Sequence, residues 1–174
     1  MKRRTLLHSL ALLAPLAWLS RHASAASDSA AADAPSIQPL DKPHKAWREQ
    51  VSPEAYAVLF DEDTERSGSS PLNDEHRDGT YVCAACYLPL FDSANKFNSG
   101  TGWPSFTQPI SGHVGFSRDF KLFLPRTEYH CARCSGHQGH MFDDGPAPRR
   151  ERWCNNGVAL RFIPKTEALP ALRS

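Results

Sequence analysis

The distribution of apolar residues predicts one helix ahead of the main body of the fold. Ser52-Pro53-Glu54 combines a serine cap, a proline at the first helical position and an early acid, which is typical of a helix start. An acidic run at 61–63 should end this helix. Its buried face is predicted to consist of Ala55, Tyr56, Val58, Leu59 and Phe60. A shorter helix over Lys45–Gln50 would place Trp47 and Val51 against the core.

From Gly79 onward the chain is made of short runs bounded by Gly, Pro, Asn and Asp. The runs predicted to form strands are Thr80–Cys83, Tyr87–Phe91, Phe120–Leu124, Thr127–Cys131, Gly139–Phe142 and Val158–Ile163. In the last of them, Val158, Leu160 and Phe162 fall on one face. There is no repeat and no alternation of strands with helices. The pattern therefore predicts a mainly β, antiparallel domain with a short helical N-terminal segment.

The first 25 residues have the composition of a secretory signal peptide. Met1-Lys2-Arg3-Arg4 is basic, Leu6–Leu19 is an apolar run of 14 residues, and Ala23-Ser24-Ala25 is a small-residue cleavage pattern. A transmembrane anchor is the alternative, but the apolar run is short for a membrane span. We therefore expect a protein exported to the bacterial periplasm, with no stable membrane insertion after cleavage of the signal.

The arginine pair Arg3-Arg4, followed by Thr-Leu-Leu, resembles a twin-arginine signal. His8, Ser9 and Pro15 make the apolar run only moderately hydrophobic, which suits export of a folded protein. Because adjacent arginines also occur by chance in a basic N-terminus, a Sec signal is the alternative.

The remaining chain divides into three predicted parts. Residues 26–43 are rich in Ala, Ser, Asp and Pro and are predicted to form a flexible linker, 44–167 the domain, and 168–174 a C-terminal tail. Removing residues 1–25 takes away four of the 20 basic residues and none of the 19 acidic ones, which leaves a formal charge of −3. No basic surface for nucleic acid is therefore expected.

Four of the five cysteines form two C-x-x-C pairs, Cys83/Cys86 and Cys131/Cys134, with 44 residues between them. A C-x-x-C turn aims both sulfurs at one point, so two such turns can complete a tetrahedral thiolate shell for one Zn²⁺ per chain. Because protein would fill all four positions, this zinc is expected to be structural. Two disulfides or a redox C-x-x-C are the alternatives. Each disulfide would close only a tiny loop, and neither pair has the context of a redox motif.

The fifth cysteine, Cys154, has no place in that four-ligand shell. It can be a buried, inert thiol. In an extended segment, however, Arg152, Cys154 and Asn156 project to the same face. A nearby guanidinium favours the thiolate, and an amide can donate a hydrogen bond. The pattern therefore favours a reactive thiol.

Two further motifs carry candidate chemistry. His137 and His140 can be metal ligands, surface residues or acid–base groups, and since cysteines fill the metal shell, imidazoles that titrate near neutrality favour proton transfer. The loop Ser99-Gly100-Thr101-Gly102-Trp103-Pro104-Ser105-Phe106 has two glycines that allow unusual backbone angles. Trp103 and Phe106 belong to the core by default, but in such a loop they can line a shallow apolar pocket.

Taken in order, these motifs resemble the type B methionine sulfoxide reductases. The resemblance rests on the two C-x-x-C pairs, Lys96–Phe106, Gly136–Phe142, Asp143–Pro148 and Arg152–Gly157, and it covers about Lys45 to Pro164. It implies two small antiparallel sheets that the two zinc-binding C-x-x-C turns join. It also implies reduction of the R epimer of methionine sulfoxide in oxidised proteins and peptides back to methionine, a repair activity under oxidative stress.

The resemblance also assigns roles to individual residues. Cys154 would attack the sulfoxide sulfur as a thiolate and be left as a sulfenic acid. His137, His140 and Asn156 would position and protonate the sulfoxide oxygen. The residues implied in substrate binding are Trp103, which would hold the methyl group, together with Arg152, Asp144 and Phe142.

One position departs from the pattern of many family members. Where they carry a resolving cysteine, this chain has Thr101. With the other four cysteines assigned to zinc, none is left to form an intramolecular disulfide with Cys154. The sequence therefore predicts regeneration by an external thiol, either a thioredoxin-like protein or a small thiol. Resolution by a zinc-site cysteine is the alternative, and it would destabilise the fold.

Two other classes of function compete with this interpretation. A zinc-stabilised module that binds a peptide through the Trp103 loop would leave Cys154 and the histidines without a role. A cysteine hydrolase using Cys154 with His137 or His140 would need an oxyanion hole, for which the sequence has no distinct signature.

Overall fold

The computed structural model describes residues 37–121 and 125–174, so the predicted signal peptide and the first part of the predicted linker lie outside the described residues. The described ranges contain one α-helix, α1 (Pro53–Asp61), and nine strands. The strands are β1 (Gly79–Cys83), β2 (Pro89–Asp92), β3 (Lys96–Phe97), β4 (Ser105–Phe106), β5 (Val114–Asp119), β6 (Arg126–Cys131), β7 (His137–Phe142), β8 (Arg152–Asn155) and β9 (Leu160–Pro164). Within these ranges, α1 falls well short of the length that a membrane crossing needs.

Helix α1 forms as the sequence predicts. Ser52 Oγ accepts a hydrogen bond from the backbone N–H of Ala55 at 3.1 Å, which caps the first turn. The helix ends at Asp61 because Glu62 adopts a left-handed conformation, with φ of 55°. All five residues of the predicted apolar face are buried. The shorter predicted helix is only a 3-10 turn over His44–Trp47, although its tryptophan is fully buried.

The strands form two antiparallel sheets, which confirms the mainly β fold. The smaller sheet has the order β2-β1-β9, and the larger has the order β3-β4-β8-β7-β6-β5. Four of these strands, β3, β4, β5 and β8, were not predicted as strands. β3 and β4 contain two residues each, and β5 is an edge strand in which only Asp119 is buried, so none of these three carries a long apolar run.

Three predicted strands differ from the structure. The strand predicted from Tyr87 begins at Pro89, because Tyr87 belongs to the first C-x-x-C turn. The described part of the predicted strand at 120–124 is not extended in a sheet, because β5 ends at Asp119 and an exposed loop follows. The predicted strand that starts at Val158 begins later, at Leu160, because a 3-10 turn occupies Gly157–Ala159. At 120–124 the apolar residue Phe120 is exposed, whereas at 157–159 the turn itself is buried, with Ala159 in the core.

Aromatic residues from both sheets form the centre of the core. Phe106 of β4 is fully buried and stacks on Phe91 of β2 with ring centroids 4.2 Å apart. Tyr129 of β6 packs edge-on against Phe91 and Trp153 of β8. Such contacts add to the free energy of burying the rings. Phe106 is therefore a core residue, and of the two loop aromatics only Trp103 remains at the surface.

Both C-x-x-C motifs are hairpin turns with the same local structure. The first connects β1 to β2, and the second connects β6 to β7. In each turn, the residue after the second cysteine donates its backbone N–H to the carbonyl of the first cysteine at 3.0 Å, from Tyr87 to Cys83 and from Ser135 to Cys131. Both donors adopt a positive φ, 63° and 59°. One cysteine pair therefore comes from each sheet.

Both ends of the described chain pack on these turns. The backbone N–H of Leu40 donates to the carbonyl of Arg133 at 2.6 Å, within the second C-x-x-C turn. The backbone N–H of Arg173 donates to the carbonyl of Cys86 at 3.0 Å, and its side chain reaches Gln50 and the Tyr87 hydroxyl. The predicted linker and tail thus contain residues that contact the domain. The predicted boundaries at 43 and 167 stay predictions.

Candidate active site and four-cysteine cluster

The four cysteines of the two turns form one buried cluster. Cys83 Sγ lies 3.6 Å from Cys134 Sγ, and Cys86 Sγ lies 3.5 Å from Cys131 Sγ. All four sulfurs lie within 4.8 Å of one another. Tetrahedral zinc with Zn–S bonds of about 2.3 Å places its sulfurs roughly 3.8 Å apart. Bonded sulfurs are about 2.05 Å apart. The cluster therefore fits a tetrahedral metal site and not a pair of disulfides.

Cys154 lies in a row of polar residues that crosses the larger sheet. It pairs directly with Ser105 on β4 and with His140 on β7. The row continues through Glu128 on β6 to Ser117 on β5. Directly opposed residues of antiparallel strands share a face of the sheet. Sheet register alone therefore brings a thiol, an imidazole and a carboxylate onto one face.

His137 joins this face because β7 contains a bulge. In a regular strand, residues three apart point to opposite faces. Tyr129 of β6 pairs with Gly139, whereas the next residue of β6 pairs with His137, which leaves Gln138 as an extra residue. The extra residue reverses the alternation, so His137 and His140 share a face. Their ring centroids are 5.4 Å apart.

Each histidine is oriented by a carboxylate. His137 Nδ1 lies 2.8 Å from Glu128 Oε1, and Ser117 Oγ donates to the other oxygen of that carboxylate at 2.8 Å. His140 Nε2 lies 2.7 Å from Asp119 Oδ2. Burial lowers the pKa of His140 below its ordinary value, because the hydrogen bond to Asp119 offsets burial only in part. The carboxylates fix the orientation of both rings.

Arg152 connects Cys154 to an acidic partner. Its Nε and Nη2 donate to the two carboxylate oxygens of Asp144 at 2.7 and 3.0 Å, and its guanidinium lies 4.3 Å from the centroid of the Phe142 ring. Burial raises the pKa of the Cys154 thiol, and the positive charge of Arg152 offsets only part of this effect. The guanidinium thus favours the thiolate as predicted, but burial keeps the resting thiol protonated at neutral pH.

A shallow pocket of about 110 Å³ opens in front of Cys154. It brings together five of the predicted site residues, which are Trp103, His140, Phe142, Cys154 and Asn156. His137 and Arg152 stand behind this lining and contact its members, and Asp144 contacts the site only through Arg152. Thr64 and Arg126 also line the pocket, and sequence reasoning missed both because they lie in ordinary polar segments.

Asn156 and Trp103 share a partner that the sequence did not reveal. Asn156 Oδ1 accepts a hydrogen bond from the backbone N–H of Glu65 at 3.1 Å, and the indole N–H of Trp103 donates to the Glu65 carbonyl at 3.2 Å. The Glu65 carboxylate accepts from the backbone N–H groups of Gly157 and Val158 at 2.6 and 2.9 Å. Glu65 therefore fixes the positions of both pocket residues. The sequence shows Glu65 only as one more acid after the acidic run at 61–63.

Gln138 links the site to the cysteine cluster. Its side-chain amide donates to Cys83 Sγ at 3.6 Å and its Oε1 accepts from Asn155 Nδ2 at 3.4 Å. Its backbone carbonyl accepts from the backbone and side-chain N–H groups of Asn156 at 2.8 and 3.1 Å. The bulged residue thus contacts both residues that follow Cys154. Donors to a metal-binding sulfur orient it and tune its basicity.

Comparison with known proteins places this arrangement in a family. The SelR domain family matches residues 51–164. A protein of Bradyrhizobium diazoefficiens named peptide methionine sulfoxide reductase MsrB is 51% identical over 125 residues, which cover 71% of this chain and 90% of that protein. A Pseudomonas putida protein of the same name is 46% identical over 133 residues, 76% of this chain and 100% of that protein.

A plant relative shows the same similarity over part of its length. Peptide methionine sulfoxide reductase B1, chloroplastic, of Arabidopsis thaliana is 44% identical over 117 residues, 67% of this chain and 58% of that protein. The fold and the site thus define a SelR domain protein. The chain belongs to the type B methionine sulfoxide reductases, as its sequence motifs predict.

Proposed function

We propose that this protein is a peptide-methionine (R)-S-oxide reductase that repairs oxidised proteins. The observation that carries the proposal is the placement of Cys154 directly opposite His140, in the pocket that Trp103 and Phe142 line. The names of the similar proteins support the same activity. A peptide-binding module has no use for a thiol and an imidazole on one face of a sheet.

The reaction requires a thiolate and a proton donor on the same side of the substrate. The Cys154 thiolate attacks the sulfoxide sulfur while a proton reaches the sulfoxide oxygen, because an unprotonated oxygen is a poor leaving group. The attack joins Cys154 Sγ to the substrate sulfur. The protonated oxygen then passes to Sγ as the S–O bond and the Sγ–S bond break, and the substrate sulfur keeps the electron pair and becomes the thioether of methionine. Cys154 loses two electrons and is left as a sulfenic acid. His140 lines the pocket and delivers the proton, and His137 lies beside it. Trp103 and Phe142 supply apolar surface for the methyl group.

Replacement of the nucleophile tests this mechanism. Cys154→Ser should abolish dithiothreitol-driven reduction of R methionine sulfoxide, while leaving the thermal transition and the metal content of the mature chain unchanged. The assay compares the R and S epimers with the wild-type protein, and only the R form should be reduced. Substantial turnover by the serine variant would exclude Cys154 as the nucleophile. No reduction of either epimer by the wild type would favour the peptide-binding module, and hydrolysis of an acyl substrate would favour the hydrolase.

We further propose that the four-cysteine cluster holds one structural Zn²⁺. Cys83, Cys86, Cys131 and Cys134 would be its ligands, and the separations of their sulfurs fit a tetrahedral thiolate shell. Zinc bound there would offset two of the four negative charges of the crowded thiolates and join the two sheets. Because protein fills the shell, the metal takes no part in the reaction.

We propose that an external thiol regenerates Cys154, because Thr101 stands where many family members carry a resolving cysteine. The Cys154 sulfenic acid condenses with one thiol to a mixed disulfide and water, and a second thiol then releases the disulfide of the two reductant sulfurs. After one equivalent of substrate without reductant, intact-mass measurement should find the protein heavier by one oxygen on Cys154. An intramolecular disulfide of Cys154 with a cysteine of the cluster would contradict the proposal. The reductant can be a thioredoxin-like protein or a small thiol.

Export to the periplasm through the twin-arginine route is proposed from residues 1–25 alone. Such a route would carry a domain that had already folded around its zinc. Changing both Arg3 and Arg4 to Lys should retain the protein in the cytoplasm, as measured by fractionation. Unchanged export would show that the signal uses the Sec route.

A further inference from the structure

A chain of hydroxyl groups leads from Cys154 into the loop that holds Trp103. Thr101 Oγ1 and Ser99 Oγ are 2.8 Å apart, and Ser99 Oγ and Ser105 Oγ are also 2.8 Å apart. Ser105 Oγ donates to the carbonyl of Trp103 at 3.2 Å. Ser105 is fully buried and pairs with Cys154 across β4 and β8. Because directly opposed residues share a face, the Ser105 hydroxyl and the Cys154 thiol lie on the same face of the sheet. At the other end of the chain, hydrogen bonding to the Thr101 hydroxyl is one of the effects that lower the pKa of this thiol.

Each hydroxyl in this chain has one proton and can accept as well as donate. While Cys154 is a thiol, its S–H can donate to Thr101, Thr101 to Ser99 and Ser99 to Ser105, which donates to the Trp103 carbonyl. When the thiol loses its proton to solvent, Thr101 can turn its O–H toward the sulfur. Ser99 and Ser105 then follow by rotation, with every hydroxyl still donating one hydrogen bond. Hydrogen bonds in such chains strengthen one another.

We propose that Thr101, Ser99 and Ser105 form a reversible hydrogen-bond chain that stabilises the Cys154 thiolate and makes Thr101 a positioning residue for the nucleophile. This inference rests on the proposed function only for its importance in turnover, since the chain itself is a property of the folded protein. Thr101 thus has a role of its own at the position where many family members carry a resolving cysteine. It supplies the sulfur with a donor where burial otherwise disfavours its charge.

Other charged and polar groups around Cys154 are kept unchanged in the test. Arg152 on the same strand favours the thiolate, and Asp144 beside it acts in the opposite direction. His140 lies opposite on β7, and Arg126 lines the same pocket from β6. The hydroxyl of Tyr129, also on β6, donates to the Cys154 carbonyl at 3.2 Å. The substitutions chosen below change none of these five residues.

The test measures the ionisation of Cys154 without any catalytic turnover. The zinc-loaded mature protein is alkylated with iodoacetamide over a range of pH, and modification of Cys154 alone is followed by peptide mass analysis. Thr101→Val removes the hydroxyl and keeps the shape of the side chain. It should slow alkylation at neutral pH roughly tenfold and move the midpoint of the pH profile upward. Thr101→Ser retains a hydroxyl and should behave like the wild type.

The variant Ser99→Ala tests whether the effect on Cys154 depends on the whole hydroxyl chain or only on the hydrogen bond from Thr101. It leaves Thr101 in place but removes the group that polarises it, so it should slow alkylation roughly threefold. A wild-type pH profile in either Thr101→Val or Ser99→Ala would overturn the proposal. A shift of the same size in Thr101→Ser and Thr101→Val would also overturn it, because it would reveal a role in packing alone. If the protein failed to reduce methionine sulfoxide, these alkylation results would stand unchanged.

Discussion

His140 is the residue whose protonation most directly sets the pH dependence of the proposed reaction. The reactive pair of His140 and Cys154 must hold one proton between them, to be given to the sulfoxide oxygen. At low pH both groups are protonated, and at high pH neither is. Because the pKa of His140 is lowered and that of Cys154 is raised, kcat/KM should rise with pH through the first pKa and fall through the second.

His140→Ala tests this assignment. The variant should lose roughly 100-fold or more in kcat/KM, and its rate should keep rising with pH through the pKa of Cys154 instead of falling. The exposed His76 offers a matched control, since His76→Ala should leave both the rate and the profile unchanged. A falling limb that persisted in His140→Ala would assign the proton to another group.

Individual residues also show what the sequence can and cannot predict. The cysteine pairs and Cys154 were predictable because chemistry restricts the residue types that can fill those positions. Glu65 was not, because its role comes from contacts with Asn156, Gly157 and Val158, some 90 residues away along the chain. Phe106 lies in the predicted pocket loop but is buried, since its strand turns the ring toward Phe91. Long-range packing of this kind leaves no local pattern.

At the scale of elements, the register of the strands determines which side chains come together in the site. The bulge at Gln138 places both histidines on one face, and a bulge cannot be predicted from alternation because it interrupts the alternation. Strand β8 was predicted only as an extended segment, because its four residues Arg152–Asn155 contain one large apolar side chain. The helix was predictable from the period of its buried face, and β1, β2, β6, β7 and β9 from apolar runs bounded by turn residues. Strand β5 is as long as β6 and β7 but has no such run.

Gly139 is the residue that permits β7 and β8 to approach closely. A Cβ at this position would lie 1.9 Å from the backbone oxygen of Cys154. Gly139→Ala should therefore push the strands apart and separate His140 from Cys154. We expect a loss of more than tenfold in kcat/KM and about 1–3 kcal/mol in the free energy of unfolding, measured by denaturant titration.

Gly112→Ala is the matched control for that substitution. Gly112 has φ of +76° and open space around its Cα, so alanine there should cost about 1 kcal/mol through backbone strain alone. Its activity should equal that of the wild type. Equal activity in Gly139→Ala would show that the close approach of β7 and β8 does not position the reacting groups.

For the whole molecule, the cysteine cluster is the point where the two sheets meet through their hairpin turns. Removal of a structural zinc should therefore loosen both sheets together. We expect treatment with a strong chelator to release one Zn²⁺ per chain, to lower the thermal transition sharply and to abolish the reductase activity. Cys154→Ser should respond to the chelator in the same way. Retention of the full thermal transition without metal would show that the cluster contributes no stability.

The contacts of Arg173 have a practical consequence for handling the protein. This residue lies one position before the end of the chain, and it binds the first C-x-x-C turn through its backbone, while Arg133 of the second turn donates to its carbonyl. A purification tag fused directly after Ser174 would add bulk beside the segment that holds both turns in place. A tag attached through a flexible spacer would leave this segment undisturbed. Metal content should be compared between tagged and untagged protein before any kinetic constant is assigned to the enzyme.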